Sequence, residues 1–242
     1  MIYFHRKFKP FYAITLDLDN TLYNNYPVID KVEKELRLFL RKYHPVLRNF
    51  KKEDYHIIRE KIRLIDPDIY HNVNSWRWKS LERIFLQSGL SEHEATLGAD
   101  NAMEFVLFWR NQINVSLKTD MALSALSSKW PLIAITNGNA DSVLYNFKRY
   151  FSDILRAGIH GRAKPYTDMY DLASKYFEIP CRYILHIGDD LYTDVQGAMR
   201  SGMQSCWIKE YSLDMKNNNI LMNPQLCPNL EISDLMSLTY LL

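Results

Sequence analysis

Four short runs of strand-forming residues, each too brief for a helix, limit what this chain can fold into. They are Phe11-Tyr12-Ala13-Ile14-Thr15-Leu16, Leu132-Ile133-Ala134-Ile135, Tyr183-Ile184-Leu185-His186-Ile187 and Gln204-Ser205-Cys206-Trp207-Ile208. Each lies close to a helical pattern, and runs without polar alternation belong to strands covered on both faces. That combination predicts parallel βαβ units, hence an α/β, Rossmann-like core.

One crossover uses a few dozen residues, yet residues 20–135 separate Asp19 from Thr136. Most of that span must therefore be an insertion. Its pattern is helical: Ile29, Val32, Leu36, Phe39, Leu40 and Tyr43 recur at helical spacing, as do Tyr55, Ile58, Ile62 and Ile65 before Asp66-Pro67. Asn74 or Ser75 is expected to cap a third helix that ends near Gly89. Ser91 and Glu94 form a capping box for a fourth, running toward Trp109. A four-helix cap over 23–115 inserted into a core of 1–22 and 116–242 is the expected domain plan. A helix around Met121 to Leu126 returns the chain to the core, and Lys216-Asn217-Asn218-Asn219, followed by Pro224 and Pro228, reads as a surface loop.

At 242 residues, 47% apolar and 24% charged with a net charge of +2, the composition is that of an ordinary globular protein with no signature of nucleic-acid binding. No window approaches the roughly 18 consecutive apolar residues of a membrane helix. Cys181, Cys206 and Cys227 have neither disulfide-framework nor zinc spacing. A cytoplasmic protein, monomeric or weakly dimeric, is expected, with no nucleic-acid or membrane partner.

Chemistry-bearing residues gather where the expected strands end, the edge at which open α/β sheets bind ligands. Asp17-Leu18-Asp19-Asn20-Thr21-Leu22 follows the first run. Thr136-Asn137-Gly138 follows the second. Lys164-Pro165 comes after a loop with His160, Gly161 and Arg162, and Gly188-Asp189-Asp190-Leu191-Tyr192-Thr193-Asp194 follows the third run. Singly, each has an ordinary reading as a turn, a loop lysine or a helix N-cap. Their joint order resembles the haloacid dehalogenase superfamily, which carries Asp-x-Asp-x-Thr, a Ser or Thr, a Lys and a late acidic motif in this sequence.

The resemblance implies an Mg²⁺-dependent phosphatase with Asp17 as nucleophile, Asp19 as general acid and base, and Thr136, Asn137 and Lys164 binding phosphate or substrate. It also implies Asp17, Asp189 and the backbone carbonyl of Asp19 as metal ligands, with Asp190 or Asp194 in support; the Gly-Asp-x-x-x-x-Asp form favours Asp194. The residue types suit that chemistry. An aspartate with an ordinary pKa of about 3.9 attacks without a neighbouring base. A divalent cation offsets its repulsion from a phosphate dianion. Asp19 must instead hold a proton near neutral pH, a bias of about 4 kcal/mol. A second acid at this position distinguishes the phosphatases from the dehalogenases of the superfamily.

The segments around Asp19–Asn25, Ile69–Arg77, Ile135–Ala140 and Arg156–Tyr170 resemble the flavin-pathway phosphatases of that superfamily. Their substrates would be small phosphorylated metabolites with a flavin or pyrimidine ribityl phosphate: 5-amino-6-(5-phospho-D-ribitylamino)uracil and flavin mononucleotide. Alternatives are a sugar-phosphate phosphatase or mutase, and a non-catalytic phospho-receiver or binding module. Other residues stay open between two roles. Trp76-Arg77-Trp78-Lys79 suits either helix packing or a planar anionic ligand. Tyr23, Asn24 and Asn25 are either a linker or a border of the substrate site. His186, inside a strand, reads as a hydrogen-bonded core histidine.

Overall fold

A computed structural model describes residues 1–140, 147–211 and 223–242, so the asparagine-rich stretch 216–219 lies outside the described residues. The chain divides into two compact units, Met1–Asn25 with Asn114–Leu242, and Tyr26–Ile113.

The first unit is built on a seven-stranded sheet of β1 (Ile2–Phe4), β2 (Ala13–Leu16), β3 (Leu132–Thr136), β4 (Asp153–Arg156), β5 (Ile184–Gly188), β6 (Gln204–Ile208) and β7 (Leu230–Ile232). The strand order is β1-β7-β6-β5-β2-β3-β4, parallel except for the antiparallel pairing of β1 with β7. Every residue of β2, β3, β5 and β6 is buried, which explains their unbroken apolar runs. On one face Ala13, Ile133, Ile135, Leu155 and Ile184 pack against Met169, Tyr170 and Ala173 of a helix at Asp168–Phe177 and against Ala198 and Met203. Three strands had no counterpart in the sequence reading. β1 and β7 are only three residues long, and the edge strand β4 is largely half-exposed.

The second unit holds α1 (Tyr26–Tyr43), α2 (Lys52–Ile65), α3 (Val73–Gln87) and α4 (Glu92–Arg110). Val32, Leu36 and Leu40 form the buried stripe of α1, each contributing about 1.5–3 kcal/mol by leaving water. They join Leu81, Ile84 and Phe85 of α3 and Ala95, Ala99, Ala102 and Val106 of α4 in one core. The small residues of α4 allow close helix approach: a Cβ on Gly98 would lie 2.9 Å from the Phe85 ring. The capping box of Ser91 and Glu94 is formed. The cap of α3 is a correction. Asn72, rather than Asn74 or Ser75, holds the helix start, its side chain accepting from the Ser75 N–H at 3.0 Å. The short turn Ile69–His71 brings the chain to the helix two residues earlier than the apolar pattern shows. Among the described residues no helix is long and apolar enough to cross a membrane.

Candidate active site

β2 lies between β3 and β5, so the residues after these three strands emerge side by side. Leu16 pairs with Ile187 and with Ala134, and the Asp17 N–H donates to the Ile187 carbonyl at 2.9 Å. Asp17 thus leaves β2 beside Gly188 and Asp189 on one flank and the end of β3, Thr136, on the other. Lys164 comes from the loop after β4 and is 4% exposed. Its Nζ donates to Asp17 Oδ1 at 2.5 Å and to Asp194 Oδ1 at 2.6 Å. Carboxylate oxygens of Asp17, Asp189 and Asp194 lie within 4.8 Å of one another, the residues all buried.

The four motifs supply different parts of this arrangement. Asn137 gives both ends of its amide to the backbone of Lys164, donating to its carbonyl at 3.0 Å and accepting from its N–H at 2.8 Å. The contacts seen for Asn137 thus hold the lysine loop, whereas the sequence reading placed it on phosphate or substrate. Thr136 is buried, and its Oγ1 accepts from the Gly138 N–H at 2.9 Å. Asp190 and Asp194 part company. Asp190 is half-buried and accepts from the N–H groups of Tyr192 and Thr193 at 2.9 and 2.6 Å, capping the turn that begins at Leu191. Asp194 points back to the acids: its Oδ2 accepts from the Asp190 N–H at 3.1 Å and its Oδ1 from Lys164. Gly188 makes room for it, since a Cβ there would lie 2.2 Å from Asp194 Cγ.

The family model for haloacid dehalogenase-like hydrolases matches residues 12–202. The chain belongs to the haloacid dehalogenase-like hydrolases. It is 48% identical over 239 residues, 99% of each chain, to the 5-amino-6-(5-phospho-D-ribitylamino)uracil phosphatase YigB of Escherichia coli K12. Among solved structures it resembles 2-haloacid dehalogenase from Pseudomonas syringae pv. Tomato DC3000 at 27% identity and a TM-score of 0.86, covering 95% of this chain and 97% of that one. It shares a fold with the HAD-hydrolase YfnB of Bacillus subtilis, a structure bound to magnesium, at 16% identity and a TM-score of 0.63, covering 96% and 99%.

Electrostatics in this hydrolase site departs from the simple expectation of an ionised Asp17. Burial pushes the Asp17 carboxyl up to about 7 against the pull of Lys164, with Asp194 and Asp19 adding to the rise. Burial and the charges of Asp194 and Asp17 push Asp189 up to about 9. Burial also acts to raise Asp194, but Lys164 and His186 hold it at about 2. Lys164 stays protonated because its two carboxylates outweigh the cost of burial. Three buried carboxyls thus share the ammonium of Lys164. An all-oxygen donor set in which burial and neighbouring acids push Asp17 and Asp189 toward protonation fits a hard divalent cation such as Mg²⁺.

Two supporting groups had no site role in the sequence reading, although His186 is the buried, hydrogen-bonded core histidine expected there. Thr21 Oγ1 donates to Asp17 Oδ2 at 3.4 Å, one turn on from the acid it touches. His186, fully buried, has Nε2 at 3.2 Å from Asp194 Oδ1 and Nδ1 at 2.9 Å from Thr15 Oγ1. Burial lowers the His186 pKa, and an ionised Asp194 can only accept. The neutral ring therefore carries its hydrogen on Nε2 and accepts from the Thr15 hydroxyl at Nδ1. The alternation Thr15-x-Asp17 across the end of β2 was the available signal, but it needed the β2–β5 pairing to become meaningful.

Proposed function

We propose that this chain is an Mg²⁺-dependent phosphatase of small metabolites, with 5-amino-6-(5-phospho-D-ribitylamino)uracil as its main substrate and flavin mononucleotide as a second. The observation that carries the chemistry is the single ammonium of Lys164 held between Asp17 and Asp194 beside Asp189. The substrate rests on the 48% identity with YigB over nearly the whole chain. The 2-haloacid dehalogenase likeness argues for the fold. Asp19, the second acid of the first motif, favours phosphate esters over halides.

In this reading a carboxylate oxygen of Asp17 attacks phosphorus, forming an aspartyl-phosphate as the bond from phosphorus to the ribityl oxygen breaks. Asp19 gives its proton to the departing alkoxide. It then takes a proton from the water that attacks the aspartyl-phosphate, returning Asp17 as a carboxylate and releasing phosphate. Lys164 places positive charge against the phosphoryl oxygens, Thr136 offers a hydroxyl, and Asn137 holds the Lys164 backbone in place. Asp17, Asp189 and the Asp19 carbonyl would hold Mg²⁺, with Asp194 in support. When bound, the ion supplies the charge neutralisation that lets an anionic nucleophile meet a phosphate dianion. The helical unit is read as the cap domain, with the rest of the chain as the hydrolase core. A cytoplasmic location and a monomer or weak dimer complete the proposal.

Purified protein should release phosphate from both substrates with Mg²⁺ and not with EDTA, and Asp17→Asn should abolish turnover. Undiminished turnover by Asp17→Asn would overturn the mechanism. A higher kcat/KM on sugar phosphates than on either flavin-pathway ester would overturn the substrate alone. A long-lived phosphoprotein without turnover would identify a phospho-receiver instead.

A further inference from the structure

The loop after β2 turns back on itself within a few residues. Asn20 adopts a left-handed conformation at φ 60°, which asparagine tolerates better than most side chains. Its N–H donates to the Tyr23 carbonyl at 2.8 Å, and its side-chain oxygen accepts from the Asn25 N–H at 2.8 Å. The N–H groups of Thr21 and Leu22 both reach back to the Leu18 carbonyl, at 3.3 and 2.9 Å. Asp19 and Tyr23 are thereby paired as an isolated parallel bridge. The Tyr23 ring is 2% exposed, and its hydroxyl donates to Oδ1 of Asp19.

A buried phenol keeps its hydrogen bond, because leaving that O–H unsatisfied costs about 1–3 kcal/mol. The tyrosine hydrogen is therefore directed at Oδ1 whether Asp19 is a carboxylate or a carboxylic acid. A carboxylic acid carries its hydrogen on one oxygen and accepts best at the other. A donor fixed on Oδ1 leaves the exchangeable proton to Oδ2 and sets the plane of the carboxyl group.

We propose that Tyr23 is a positioning residue for proton transfer by Asp19. It aims the carboxyl and assigns the transferable proton to Oδ2. The inference rests on the phosphatase reading, in which Asp19 protonates the leaving alkoxide. It gives the residue just past the Asp17-to-Thr21 motif a task in chemistry in place of a linker role. The selectivity it confers is for esters whose alcohol is a poor leaving group, the class to which ribityl phosphates belong.

The test compares two substrates on Tyr23→Phe, which removes one oxygen and keeps the ring. Flavin mononucleotide releases an alkoxide that needs the proton; p-nitrophenyl phosphate releases a nitrophenolate that does not. The comparison uses kcat/KM, which reads the steps through transfer to Asp17. Tyr23→Phe should lower kcat/KM about 10–100-fold on flavin mononucleotide, part of the full acid contribution, and less than about threefold on p-nitrophenyl phosphate. Asp19→Asn should show the same asymmetry more strongly. The double variant should be no worse than Asp19→Asn alone on flavin mononucleotide, since both changes disable one device. Equal losses on the two substrates, no loss on either, or additive losses in the double variant would each overturn the proposal. Wild-type protein that hydrolyses neither ester would instead refute the phosphatase reading.

Discussion

Lys164 and Asp194 form an ion pair at 2.6 Å with each side chain only 2% exposed. The same ammonium serves Asp17, so one cation compensates two buried carboxylates. Removing it strands both. Lys164→Met should destabilise the fold by about 3–5 kcal/mol in EDTA, the range for breaking a buried pair from one side. Urea unfolding measures the loss, and saturating Mg²⁺ should return part of it by binding the stranded acids.

Proton competition makes metal binding depend on pH. Asp17 is pushed up to about 7 and Asp189 to about 9, so protons must leave both before a cation takes their oxygens. Mg²⁺ affinity should climb as pH rises through 7 toward 9, by up to about tenfold per pH unit for each proton displaced. Calorimetry in buffers of different ionisation enthalpy counts those protons. The same two groups set the stability of protein kept in EDTA. Their folded pKa values exceed the unfolded value of 3.8, so their contribution is fully present below that pH and is lost as pH rises through about 7 and about 9. The melting temperature in EDTA should fall between pH 5 and 9, with Mg²⁺ restoring it. Asp194 runs the other way: its contribution is lost as pH falls through about 2.

Asn137 touches the site through the main chain of Lys164, by two hydrogen bonds. Asn137→Ala should cost about 1–3 kcal/mol of transition-state stabilisation, which is a 5- to 150-fold loss in kcat/KM. Inhibition by inorganic phosphate should weaken in parallel if, as proposed, Lys164 is the group that meets the phosphoryl oxygens. Steady-state kinetics with added phosphate reads both effects together.

In the helical unit Arg77 is 8% exposed, and its Nε has no hydrogen-bond partner among the described residues. It lines a small cavity with Val32, Leu36, Leu40, Phe50 and Tyr55, and with Glu33, Arg37 and Lys52. A guanidinium cannot shed its proton, so burying one with an N–H unsatisfied is costly. Arg77→Met, similar in length and apolar, should leave stability unchanged or raise it by about 1–3 kcal/mol in urea unfolding. A large loss would show that the charge is serving a partner the fold depends on.

The runs that became β2, β3, β5 and β6 were legible because both faces of those strands are buried, leaving no polar interruption. Ile2–Phe4 and Leu230–Ile232 escaped because a three-residue strand carries no period. Asp153–Arg156, on the sheet edge, mixes charge with apolar residues. The acids of the site stood out because their motifs follow buried strands, and Lys164 by its place in the order of motifs. Their partners did not: the amide of Asn137 bridging 27 positions to Lys164, or His186 reaching Asp194, depends on which loop lies over which strand end. Between Asp190 and Asp194 the sequence offered only the Gly-Asp-x-x-x-x-Asp form, which favours Asp194. The turn at Leu191–Gln196 separates them, giving one acid to backbone N–H groups and the other to Lys164.

The contact between Asp17 and Lys164 joins residues 147 positions apart. At roughly 5–20 residues per second, a ribosome adds that length in about 7–30 s. Throughout that interval the emerging polypeptide carries Asp17 without the ammonium that partners it, and β2 without the β5 strand it pairs with. The ion pair at Asp17 and the β5 side of β2 are thus both completed late in synthesis. Such long-range pairing slows folding and favours protection by chaperones until the last strands arrive.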